Sequence, residues 1–161
     1  MSKILNNLSL NLLKLLKENN LKIGTAESCT GGMLAQYLTM HPGSSESFNY
    51  GFITYSNEAK INILNINVTL LNNFGAVSKE IVCEMATNLL KYNNNIDIAL
   101  AISGIAGPGG SLKNKPIGLV HHALATRNTI KHKKIIHKGN RESVRKLSVK
   151  TSLEMAISEI N

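Results

Sequence analysis

Tryptophan is absent from this sequence, and all aromatic residues together make up only 4% of it. There are two cysteines, Cys29 and Cys83, too few for a disulfide scaffold or a structural zinc site. No apolar run approaches the ~18–20 residues that span a bilayer, so no membrane partner is expected. The apolar N-terminal stretch Met1–Leu16 is periodic and lacks a small-residue cleavage site, unlike a signal peptide. These absences point to a cytoplasmic protein. Charged residues are also scarce, at 17% against the ~25% usual in soluble proteins. Asparagine fills the gap with twenty residues spread through the chain.

What is present suffices for one folded unit. The 161 residues, 43% of them apolar, fit a single domain over residues 1–161 with a real core. The net charge is 18 − 10 = +8. It is concentrated: Arg127–Lys150 holds nine Lys and Arg against one acid, Glu142, and the remainder is neutral. Such a segment invites a nucleic-acid reading, yet it contains no aromatic ring for base stacking. The competing reading is a solvated strand–helix pair that helps hold a small anion.

Apolar spacing predicts an amphipathic helix over Leu8–Leu16 and a strand over Leu21–Ala26. Thr30, Gly31 and Gly32 open a helix that His41-Pro42-Gly43 stops near Met40. Ser47–Tyr55 reads as a strand, Asn57–Leu64 and Val68–Asn73 as short helices, and Ser78 as the cap of a longer helix. Ile96–Ile102, apolar but for Asp97, has the pattern of a strand buried on both faces. After the Gly- and Pro-rich loop Gly104–Pro116 come strands Ile117–Thr126 and Thr129–His137, joined by a tight turn at Arg127-Asn128. Asn140 caps the last helix. The alternation predicts an α/β fold, with a terminal hairpin that makes the sheet mixed.

Three segments can carry chemistry. In Thr25–Gly32 a strand turns sharply into a helix, placing Ser28 at a strand's C-terminal end, where open α/β sheets bind ligands. Free N–H groups of the following helix would face the turn and suit an anion or an oxyanion. Ser28 is then a nucleophile or, together with Thr30, only a cap. Cys29 reads as a small buried hydrophobe, because no base lies near it in sequence. In Tyr55–Lys60, a lysine with its pKa lowered by burial can act as a base, and a tyrosine hydroxyl can relay a proton; equally, the hexapeptide can be ordinary surface. In Ser103–Gly110, dense glycine allows close approach to a phosphate or a carbonyl, although neither phosphate-loop fingerprint is met. Arg141 and Arg145, one helical turn apart, form either a phosphate clamp or a solvated face. His121 and His122 fall on opposite faces of a strand, and no ligand-spaced cluster implies a metal.

In order, the motifs Ala-Glu-Ser-Cys-Thr-Gly-Gly, Tyr-Ser-Asn-Glu-Ala-Lys, Ser-Gly-Ile-Ala-Gly-Pro-Gly-Gly and Lys-Pro-Ile-Gly resemble the C-terminal domain of the competence/damage-inducible protein CinA. The resemblance runs from about Leu8 to Ile160. Single-domain members of that family are the PncC-type nicotinamide-nucleotide amidohydrolases. It implies a three-layer α/β/α fold with a mixed, mostly parallel sheet, and hydrolysis of nicotinamide mononucleotide to nicotinate mononucleotide and ammonia without a cofactor. By motif, Ser28 corresponds to the family's nucleophile, Lys60 to its base and Tyr55 to an assisting hydroxyl. Expected substrate-binding residues are Glu27, Thr30, Gly31, Gly32, Ser103, Gly104, Gly107, Gly109, Arg141 and Arg145. Ser111-Leu112-Lys113-Asn114 departs from the family pattern of small residues and an acid, adding positive charge. The expected partners are a pyridine mononucleotide and a second copy of the chain. The alternative is an accessory protein of competence or DNA repair that binds nucleic acid through Arg127–Lys150.

Overall fold

The apolar run around Ile96–Ile102 becomes the middle of the sheet. In the computed structural model, which describes residues 1–161, it forms β3 (Ile98–Gly104), buried as far as Ser103. β1 (Ile23–Glu27), buried along its whole length, pairs with it in parallel, with Thr25 opposite Leu100. β2 (Phe48–Ile53) adds a further parallel strand outside β1. On the other side β4 (Leu119–Ala125) pairs antiparallel with β3, and β5 (Ile130–Ile136) pairs antiparallel with β4, so β5 runs in the direction of β1–β3. The strand order is β2-β1-β3-β4-β5, a five-stranded mixed sheet.

Helices cover both faces, as buried parallel strands require. α1 (Ser2–Glu18), α2 (Met33–Thr39) and α6 (Arg141–Ile160) pack on one side. α3 (Asn57–Leu64), α4 (Val68–Phe74) and α5 (Lys79–Tyr92) pack on the other. Side chains alternate across a strand, and here the alternation also sorts them by size. Leu100, Ile102, Val120 and Leu124 face α1 and α6, whereas Ala99, Ala101, Ala123 and Ala125 face α5. Alanine on that face lets α5 lie close on β3 and β4. The three-layer α/β/α arrangement is the one expected.

Element boundaries shift where packing overrides local pattern. α1 begins at Ser2 instead of Leu8, because its buried stripe is Leu5, Ser9, Leu12, Leu13 and Leu16, while Leu10 is exposed. β3 starts two residues late: the N–H groups of Asp97 and Ile98 both turn to the Lys22 carbonyl. β4 starts at Leu119 because Gly118 bends the chain, its N–H bonded to the Ile105 carbonyl at 2.7 Å. The hairpin closes at Arg127-Asn128 as expected, with Thr126 N–H donating to the Thr129 carbonyl at 2.9 Å. Asn140 and Ser78 cap their helices, accepting from the N–H groups of Ser143 and Ile81.

Candidate active site

β1, β2 and β3 all end at one edge of the sheet, and the three candidate segments follow those ends. Ser28 continues the ladder by one residue, its N–H bonded to the Ile102 carbonyl at 2.9 Å. The chain then reverses in a turn closed by Gly31 N–H on the Ser28 carbonyl at 3.0 Å. Gly31 and Gly32 have φ of 58° and 89°. At Gly32 an added Cβ would also lie 2.9 Å from Ile53 Cδ1, so the turn demands glycine.

One expectation is corrected here. The first N–H groups of α2 do not face an incoming anion, because the buried Glu27 carboxylate already takes them. Leu34 N–H donates to it at 3.0 Å and Ala35 N–H at 2.8 Å. Glu27 ends β1 on the α2 side, so its side chain caps the next helix, a role that sequence reasoning missed. Beside Ser28, the N–H groups of Cys29 and Thr30 make no backbone hydrogen bond, and that of Cys29 is directed at its own thiol.

Lys60 reaches Ser28 from the other side of the edge. Ser56 caps α3, its Oγ accepting from Ala59 N–H at 3.0 Å. Lys60, one turn in, directs its chain back toward the helix start. Its Nζ lies 3.2 Å from Ser28 Oγ, 2.8 Å from the Thr54 carbonyl and 3.3 Å from the Tyr55 carbonyl. Lys60 is 1% exposed, and burial lowers its pKa from 10.5 to about 8. The protonated amine donates to all three; on losing the proton shared with Ser28 it would keep two N–H bonds on the carbonyls and offer its lone pair to Ser28 Oγ–H. Burial acts oppositely on the neighbouring thiol, pushing Cys29 up to about 12. Cys29 therefore stays protonated and inert.

Ser28, Cys29 and Lys60 open into a cavity of about 250 Å³, whose far wall is the Ser103–Gly110 loop. Ser103 Oγ–H donates to the Ala76 carbonyl at 2.7 Å, tying the loop to the start of α5. Gly104 passes so close to β4 that a Cβ would sit 2.7 Å from the Leu119 carbonyl oxygen. Gly107 and Gly109 line the cavity, and Arg141 stands at its rim. The Arg141 guanidinium donates to the Gly107 carbonyl at 2.7 Å and to the Tyr55 hydroxyl at 3.0 Å. Tyr55 thus offers its backbone carbonyl to Lys60 while its exposed ring sits at the mouth, its hydroxyl bonded to neither Ser28 nor Lys60. A larger groove of about 410 Å³ beside α3 and α5 holds no nucleophile–base pair.

Of the expected substrate contacts, Ser103, Gly104, Gly107, Gly109 and Arg141 line the cavity. Glu27, Thr30, Gly31, Gly32 and Arg145 do not: they build the turn that carries Ser28. Sequence reasoning also missed the Thr54 carbonyl and Ala76–Val77, since no residue type signals where a backbone group points.

The basic segment is largely engaged. Lys131 pairs with Glu159 at 2.6 Å, Lys150 with Glu154 at 2.9 Å, and Lys146 with Glu142. Arg127 donates to the Asn94 carbonyl, while Arg141 and Arg145 hold carbonyls at the site. Glu154 and Glu159 lie just beyond the segment in sequence, so a charge window hides them. The structure contains no grouping of three or more His, Cys, Asp or Glu suited to a metal ion, and no helix is long and apolar enough to cross a membrane.

Fold and site together define a class: an α/β/α domain with a buried serine–lysine pair at the C-terminal edge of its parallel strands. Comparison with known proteins places it further. Residues 5–160 match the model of the CinA C-terminal domain. The crystal structure of competence/damage inducible protein CihA from Agrobacterium tumefaciens superposes with a TM-score of 0.93 at 38% identity, over 96% of this chain and 94% of that one. A CinA superfamily protein from Klebsiella pneumoniae gives 0.93 at 33% identity, over 97% of both chains. A CinA-like protein of Syntrophomonas wolfei is 48% identical over 134 residues, 83% of this chain and 32% of that protein. The chain spans about a third of the length of the curated relatives it matches. It belongs to the CinA C-terminal domain family.

Proposed function

We propose that this domain is a serine/lysine amidohydrolase that converts the carboxamide of nicotinamide mononucleotide to a carboxylate, releasing ammonia. The observation that carries the proposal is the 3.2 Å approach of Lys60 Nζ to Ser28 Oγ at the floor of a cavity, with the lysine pKa lowered to about 8. A lysine with that pKa is neutral in about a quarter of molecules at pH 7.5. The cavity pairs this floor with a cationic rim at Arg141, matching a carboxamide at one end of a ligand and a phosphate at the other.

In the first half-reaction Ser28 Oγ attacks the carboxamide carbon while Lys60 accepts the hydroxyl proton. The oxyanion would be received by backbone N–H groups of the Ser28 turn that make no backbone bond, those of Cys29 and Thr30. Collapse breaks the C–N bond, Lys60 returns the proton to the departing nitrogen, and ammonia leaves an ester on Ser28. Water then attacks the ester as Lys60 takes its proton. The ester C–O bond breaks, Ser28 regains its hydrogen, and the acid ionises. The test is ammonia release from nicotinamide mononucleotide by the purified protein with EDTA present. Release that disappears in both Ser28→Ala and Lys60→Ala supports the reading; no release from folded wild-type protein sinks it.

A further inference from the structure

Arg145 lies one turn along α6 from Arg141, and the two guanidinium groups go to different places. Arg141 reaches the cavity rim. Arg145 reaches behind the Ser28 turn, where its Nη2 donates to the Thr30 carbonyl at 2.6 Å across 115 residues of sequence. The same carbonyl accepts Met33 N–H at 3.2 Å, and the next peptide N–H, Gly31, closes the turn on the Ser28 carbonyl. The Thr30–Gly31 peptide is therefore pinned at both ends. The turn has no Cβ at Gly31, and one placed there would lie 3.7 Å from Arg145 Nη2. The pinned turn carries Ser28, whose Oγ meets Lys60, and the N–H groups of Cys29 and Thr30, which make no backbone hydrogen bond.

The contact is poorly explained as a stability device. Arg145 is half-buried, and its Nε is buried without a partner. Thr30 Oγ1, in the same turn, is another buried polar atom left unsatisfied. Unpaired buried polar groups cost folding free energy, and local costs of this kind are concentrated at functional sites. At Cys29, burial dominates and raises the thiol; the Glu27 carboxylate raises it further, and the Arg145 cation opposes that with a smaller effect.

We propose that Arg145 is a positioning residue for catalysis. It holds the Thr30 peptide so that Ser28 Oγ and the adjacent amides converge on one carbonyl, against the opposing charge of the buried Glu27 carboxylate. It does not bind the substrate's phosphate. The proposal rests on Ser28 being the nucleophile.

The test compares wild type with Arg145→Met, Arg145→Lys and Arg141→Ala in the full chain. One readout is the second-order rate at which a small fluorophosphonate labels Ser28, fluoride leaving as Oγ bonds to phosphorus. The others are kcat and KM for ammonia release, and Tm. Arg145→Met is expected to slow both labelling and kcat about tenfold or more, the scale of a misplaced reacting group, with KM within about twofold. Arg145→Lys, which keeps the charge and one donor, is expected to recover much of that rate. Arg141→Ala should instead raise KM.

Wild-type labelling in Arg145→Met, or an effect confined to KM, overturns the proposal. If the methionine variant does not fold, Arg145→Gln is held to the same split between kcat and KM. Wild-type protein labelled at Ser28 that releases no ammonia from the nucleotide refutes the substrate assignment, and the labelling comparison then decides the role of Arg145. Absence of labelling at Ser28 overturns both.

Discussion

Lys60 Nζ stands 3.2 Å from Ser28 Oγ, and the Thr54 carbonyl holds it there from 2.8 Å. The three residues come from the ends of two neighbouring strands and the helix that follows one of them. Their convergence leads to measurable consequences.

The base should be visible in the pH profile. Only neutral Lys60 accepts the serine proton, so kcat/KM for amide hydrolysis should rise with pH and level off above an apparent pKa of about 8. A profile flat from pH 6 to 9 would exclude Lys60 as the base. Lys60→Met should lower kcat by ~10²–10⁴.

Arg141 bridges Gly107 and Tyr55 at the rim. Arg141→Ala should raise KM for an anionic substrate at least ~10-fold, the loss expected on removing a charge-assisted hydrogen bond, with kcat within a few-fold. Tyr55→Phe should cost less, since the tyrosine contributes its carbonyl to Lys60 and only a rim hydroxyl to Arg141. Equal losses in kcat for both variants would instead place the tyrosine hydroxyl in the reaction itself.

Glu27 is a buried cap on a short helix. Glu27→Ala strips the acceptor from two N–H groups and should cost ~2 kcal/mol of stability, readable as a lower denaturation midpoint. Because the same helix follows the Ser28 turn, activity should fall with it. Unchanged stability would show that water replaces the carboxylate.

Acid should destabilise the protein through the β4–β5 histidines. His121 bonds His132 at 3.0 Å on one face of the sheet, and His122 bonds Ser152 at 3.1 Å on the other, its Nε2 buried without a partner. Burial lowers His121 to about 4 and His122 to about 3, and lowers His132 and His137 as well. The unfolded chain binds these protons near pH 6.5, before the folded chain does, so stability is full above that pH. It should fall as pH drops toward 3–4, by up to ~1.4 kcal/mol per pH unit for each such imidazole. Urea midpoints at pH 7.5 and 5 test this, and His122→Gln should flatten the difference.

Local chemistry made much of this legible in sequence. Asn140 and Ser78 are capping residues beside amphipathic runs, so the helix starts they mark could be read directly. The apolar character of Ile96–Ile102, interrupted only by Asp97, pointed to a strand buried on both faces, although the strand itself starts at Ile98. Ser28 and Lys60 were recognisable as candidates because each sits where a strand runs into a helix. The contact of Arg145 with the Thr30 carbonyl was not legible: i, i+4 spacing shows that two arginines share a helix face, but not what each reaches.

Residue type and spacing thus determined the elements, their order, the mixed α/β architecture and the short list of groups able to do chemistry, since these depend on propensity, capping and burial pattern along the chain. Tertiary structure alone decided which of those groups meet. The carboxylate of Glu27 became a helix cap, the amides of Cys29 and Thr30 were left without backbone partners, and Lys60 was stripped of water beside Ser28. The reason is physical. Desolvation and hydrogen-bond direction depend on atoms that arrive from distant parts of the chain, and no local pattern encodes where those atoms will stand.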